Sequence, residues 1–154
     1  MPEVKQLPGL KLVGFRVLCP GDQYVIEIPK ASKWLSERTG EIANVVNPGF
    51  QYGAFVVEHS SNEEDGYLVC VEVSEYEGIP EDMVGLTIPG QMYAVLRHRG
   101  ANGEIRQAYT ELHQWIEANG YLRLTEKWHL EAFHKWSDPA NIDVELMDTV
   151  AFEV

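Results

Sequence analysis

The stretch "EKWHLEAFHKW", residues 126–136, decides how this chain is read. Alternate residues Trp128, Leu130 and Ala132 fall on one side and His129, Glu131 and Phe133 on the other. Strict alternation over this length is the mark of a half-buried strand. A carboxylate then stands mid-strand between an imidazole and a phenyl ring of its own face, where a solvent face would more often carry Thr, Lys or Arg. That second face looks either at water or at a ligand. His129 and His134 are five apart and point to opposite faces of a strand. "HLEAFH" is therefore not the helical zinc motif, whose two histidines share one face.

Working outward, the turn "SDPAN" leads to "IDVELMDTV", a last strand. Upstream, "ANGEIRQAYTELHQWIEANG" is the clearest helix: Ile105, Ala108, Leu112, Trp115 and Ile116 make one stripe, Asn102 can cap it and Asn119-Gly120 can close it. Before it, "QMYAVLRHR" alternates as a strand. The first half has the same order. "LKLVGFRVL" is a strand, and "IPKASKWLSERTG" is a short helix with Pro29 in its first turn and Gly40 as its stop. "FQYGAFVVEH" and "YLVCVEVSEY" are strands joined by the turn-forming "SSNEEDG". "KWL" at 33–35 and "QWI" at 114–116 occupy matching places, which suggests an internal duplication with repeats at about residues 8–78 and 79–154 of a single domain. The expected fold is α+β: duplicated β-α-β-β units, an antiparallel sheet, both helices on one face and a ligand cleft between the halves. One helix covers only one face of its strands. The cleft floor is then expected to be the uncovered faces, with Glu131 pointing into it beside His129 and Phe133.

Composition narrows the function. The chain has 154 residues, 45% of them hydrophobic, and suits one domain with a proper core. Twelve basic residues against 24 acidic give a net charge of −12, a surface that repels phosphate backbones and disfavours nucleic acid. The same field favours cationic ligands or a basic protein partner. No secretory signal and no membrane-length apolar run is visible, so a cytoplasmic protein is expected. Cys19 and Cys70 lie 51 residues apart and read as small buried apolar residues. No cofactor and no metal site is expected, since no Cys or carboxylate cluster joins the histidines. There is no nucleophile elbow and no phosphate-binding glycine loop. A second carboxylate, Glu72, alternates with Val71 and Val73 on a strand that pairs with the one carrying Tyr52, so both are candidates for the groove.

Several segments together resemble one known family, the GyrI-like small-molecule-binding domain, also called the bacterial transcription-activator effector-binding domain. They are "IPKASKWL", "DGYLVCVEVSE", "IPEDMVGLTIPGQMYAVLRHRG", "IRQAYTELHQWIEANG" and "HLEAF". The resemblance implies the β-α-β-β duplication and a site for hydrophobic, often cationic or aromatic compounds around a central glutamate. That glutamate falls on Glu131. The aromatic two positions later, Tyr in many members, is Phe133 here. Tyr93 matches a recurrent tyrosine and Trp34 an aromatic of the first helix. The resemblance reads the chain as a stand-alone small-molecule binder. Its alternatives are a small hydrolase of strained electrophiles, with Glu131 as general base, and a gyrase-inhibitor-like interaction module.

Overall fold

The computed structural model describes residues 1–153. Two β-α-β-β runs account for most of it. The first is β2 (Leu10–Val17), α1 (Tyr24–Arg38), β3 (Gln51–Val56) and β4 (Tyr67–Val73). The second is β6 (Gln91–Gly100), α2 (Ile105–Ala118), β8 (Trp128–Lys135) and β9 (Ile142–Phe152). The alternating stretches of the sequence are strands, as their period of two requires. Three short strands carry too few residues to show such a pattern: β1 (Glu3–Leu7), β5 (Val84–Ile88) and β7 (Tyr121–Arg123).

All pairings between these strands are antiparallel, in the order β1-β6-β9-β8-β3-β4-β2-β5, with β7 on β9. β3 and β8, the matching strands of the two runs, meet at the centre with Gly53 opposite Glu131. The short strand that precedes each run pairs with the other run, β1 with β6 and β5 with β2. Leu7 faces Gln91 and, three residues on, Leu10 faces Ile88. Residues 3–14 and 84–95 thus form one continuous ribbon that ties the two ends of the sheet together. The face without helices is closed by this curl. Leu12, Ala54, Cys70, Ile88, Tyr93 and Leu130 pack there in one buried cluster.

Both helices lie on the other face, α1 over β2 and β4, α2 over β6 and β7. Ala31 and Leu35 of α1 meet Val13, Phe15, Val69 and Val71. Ala108, Leu112 and Ile116 of α2 meet Leu96, Val144 and Leu146. The apolar stripe of α2 is the one its sequence shows, with Ile105 and Trp115 at its half-buried edge. Asn102 opens a 3-10 turn instead of capping with its side chain. α1 differs more. It begins at Tyr24, so Pro29 lies inside it, where it cannot donate to the carbonyl of Val25. Val25 and Ile26 of the early turn are exposed, so no apolar periodicity announces that turn.

Trp34 and Trp115 hold matching helix positions with different partners. Trp34 stacks on Phe15 of β2, centroids 4.4 Å apart, and Trp115 on Tyr121 of β7, at 6.0 Å. Cys70 is buried and Cys19 half-buried in the loop before α1, and both are free thiols.

Candidate functional site

α1 and α2 cover the flanks of the sheet, so β3 and β8 run in the trough between them. Side chains of β8 that face this trough are His129, Glu131 and Phe133; Leu130 and Ala132 point into the curled interior. The sequence reading placed Glu131 on the uncovered face. The structure places it on the helix side, because the central strands are the ones the helices leave open. The cleft between the halves is thus walled by the helices.

At its floor, Glu131 is 8% exposed. Tyr67 of β4 donates its hydroxyl to one carboxylate oxygen and Tyr109 of α2 to the other, each at 2.5 Å. Tyr67 reaches it across β3 because residue 53 is glycine: a Cβ there would sit 1.6 Å from the Tyr67 hydroxyl oxygen. Half-buried Phe55, Tyr109 and Phe133 line the trough, and Phe55 stacks on both Tyr67 and His129. Among the described residues no Lys, Arg or His forms an ion pair with Glu131. Burial pushes its pKa up, outweighing the hydrogen bonds from Tyr109 and Tyr67, and the nearby charge of Asp148 adds to the rise. The two phenols are held well above their ordinary values, first by burial and then by the Glu131 charge, and so keep their protons.

Asp148 of β9 faces the same side and is also buried, at 1% exposure. His129 Nδ1 lies 3.2 Å from one of its oxygens and Arg123 Nε donates to the other at 2.9 Å. His113 Nε2 stands 2.8 Å from the latter but makes no hydrogen bond there; burial pushes its pKa down despite the carboxylate. For Asp148, burial works upward. The hydrogen bond from His129 and the charges of His129, Arg123 and His113 overcome it and hold the carboxyl below its usual range. His129 also contacts the Leu124 carbonyl oxygen through Nε2, at 3.0 Å. It belongs to this paired cluster, next to Glu131 but not bonded to it.

The remaining candidates lie elsewhere. Tyr93, Tyr52 and Glu72 point to the opposite side of the sheet, the first two lining the interior of the curl. Trp34 is half exposed on β2, three strands from β8, beside a groove that also includes Lys30 and Asp82. Tyr67 and Tyr109 were missed by the sequence reading. Tyr67 shares the parity of Val69 and Val71, and Tyr109 flanks the α2 stripe, so both read as packing. Their hydroxyls meet Glu131 across separations of 64 and 22 residues.

Comparison with known proteins gives the class of the domain directly. The profile of the GyrI-like small molecule binding domain matches residues 1–147. The chain belongs to that family. It is 28% identical over 117 residues to the transcriptional regulator BrlR of Pseudomonas aeruginosa; the match takes in 75% of this chain and 41% of BrlR, so it spans less than half of that relative's length. Among solved structures it is similar to the EcmrR C-terminal domain, at 20% identity and a TM-score of 0.72, over 100% of this chain and 98% of that one. It is also similar to SAV2435, solved bound to tetraphenylphosphonium, at 15% identity and a TM-score of 0.73, over 98% and 94%. A hydrolase from Listeria innocua shares the fold at 14% identity and a TM-score of 0.56, over 97% and 91%. No helix among the described residues is long and apolar enough to cross a membrane.

Proposed function

We propose that the protein binds hydrophobic cations in the trough between α1 and α2, with Glu131 as the counter-charge. The observation that carries this reading is the contrast between two buried carboxylates on one sheet face. Asp148 has a cationic partner, Arg123, and a histidine, His129, within the protein. Glu131 has phenol donors alone. An uncompensated buried carboxylate costs stability unless something neutralises it, and a bound cation would do so. Aromatic walls suit such a ligand: a cation over Tyr109, Phe133 or Phe55 gains cation–π attraction of about 0.5–2 kcal/mol. Tetraphenylphosphonium on the similar SAV2435 fold supports the same ligand chemistry. Phe133 enters as wall and not as donor; Tyr67 and Tyr109 supply the hydroxyls it lacks.

Glu131→Gln tests it. The substitution keeps size and deletes charge, so a cationic dye should lose roughly ten- to a hundred-fold in affinity, about 1.5–3 kcal/mol. A neutral dye of matched shape should change little. Equal losses for both dyes, or none for either, would reduce Glu131 to a structural residue.

Hydrolysis by the same carboxylate fits less well. A general base needs a lone pair aimed at water, and one lone pair of each Glu131 oxygen is already taken by a phenol that holds its proton.

A further inference from the structure

The ribbon of residues 3–14 and 84–95 bends at Pro8-Gly9, which faces Pro89-Gly90. Neither proline has an N–H, so the ladder lapses there. Gly9 lets the two chains touch: a Cβ would lie 2.8 Å from the Ile88 carbonyl oxygen. Beneath the bend, in the curled interior, is a cavity of about 150 Å³. Leu7, Leu10, Tyr52, Tyr93, Leu130 and Met147 line it. Its walls are apolar apart from two phenols, and no charged residue takes part.

Tyr93 is 1% exposed. Its hydroxyl accepts a hydrogen bond from Gln91 Nε2 at 2.8 Å, and among the described residues its proton goes to no acceptor. Burial, followed by the charges of Glu72 and Glu145, pushes Tyr52 up to about 12, so it too is a donor at neutral pH. β8 separates this cavity from the trough, with Leu130 facing one and Glu131 the other.

We propose that this cavity is a second small-molecule site, back to back with the Glu131 trough, for one small neutral molecule with an apolar body and a hydrogen-bond acceptor. Size sets the class, because an apolar protein cavity of about 150 Å³ holds a benzene ring. A bulky tetra-aryl cation cannot enter. The Tyr93 proton selects for an acceptor oxygen or nitrogen on the ring, and Glu72 and Glu145 beside Tyr52 oppose anions.

Fluorine NMR of 4-fluorophenol, titrated against the full chain with and without tetraphenylphosphonium, tests the proposal. Saturable binding is expected, undisturbed by the cation and unchanged in Glu131→Gln. Leu7→Trp, which fills the cavity from its rim, should abolish it. Tyr93→Phe should weaken it about five- to tenfold, the loss of one hydrogen bond; this variant removes a single oxygen and keeps the test valid if Leu7→Trp misfolds. Absence of saturable binding would overturn the proposal. So would displacement by the cation, an equal loss in Glu131→Gln, or indifference to Tyr93→Phe. Fluorophenol binding in a protein that ignores tetraphenylphosphonium would sink the cation reading alone.

Discussion

Glu131 and Asp148 stand on adjacent strands and face the same helices, yet their carboxyls shift in opposite directions. The difference is one of partners. For Glu131 the folded pKa lies above the unfolded one, so between the two the folded state binds the extra proton. Stability contributed by this group is then present at low pH and lost as pH rises through the raised value. Glu131→Gln should accordingly leave thermal stability at neutral pH unchanged or higher, and a clear drop in melting temperature would contradict that. Gly53 is the second residue on which the site turns. Gly53→Ala drives a methyl into the Tyr67 hydroxyl, and overpacking of this kind costs about 1–3 kcal/mol. Urea unfolding should show that loss together with weaker cation binding, because Tyr67 is pushed off the carboxylate. In the sequence, Glu131 is singled out by the strand alternation together with the family resemblance. Gly53 and Tyr67 are not legible there, because their role exists only once β3 lies between β4 and β8.

At the scale of elements, long alternating strands and the α2 stripe were readable because each buries one face against a neighbour with a fixed period. β1, β5 and β7 were not, for they are short, and two of them exist to tie the opposite run's sheet edge. The first turn of α1 carries exposed apolar residues and an internal proline, so its signals point the wrong way. Which face of β8 the helices leave open was equally hidden, since it depends on how far apart α1 and α2 settle. The buried cluster beneath α2 is testable: Arg123 of β7 and His129 of β8 pair with Asp148, and His113 of α2 stands beside it. Asp148→Asn leaves Arg123 and His129 facing a neutral amide. Breaking a buried pair from one side costs about 3–5 kcal/mol, and chemical denaturation should read a loss of that order. In the parent protein, the Asp148 contribution should be present above the ordinary carboxylate range and vanish as pH falls through its lowered pKa. A variant of unchanged stability would show that the cluster is decorative.

The whole molecule places the Glu131 trough and the Tyr93 cavity on opposite faces of one curled sheet under a net charge of −12. That charge should prevent the chain from binding duplex DNA at physiological salt, because each phosphate contact needs a cation to replace released counterions. Fluorescence anisotropy with a labelled duplex should stay flat, and salt-sensitive micromolar binding would refute this. Whether a bound cation answers to the buried Glu131 carboxylate is read most directly by pH. Tetraphenylphosphonium affinity should be measured by calorimetry across the acidic to neutral range, in the parent protein and in Glu131→Gln. A cation binds the ionised carboxylate better than the neutral one, so affinity in the parent should climb by up to about tenfold per pH unit below the raised pKa and level off above it. Glu131→Gln should bind weakly and show no such slope. The same slope in both proteins, or none in either, would mean that the cation does not answer to Glu131.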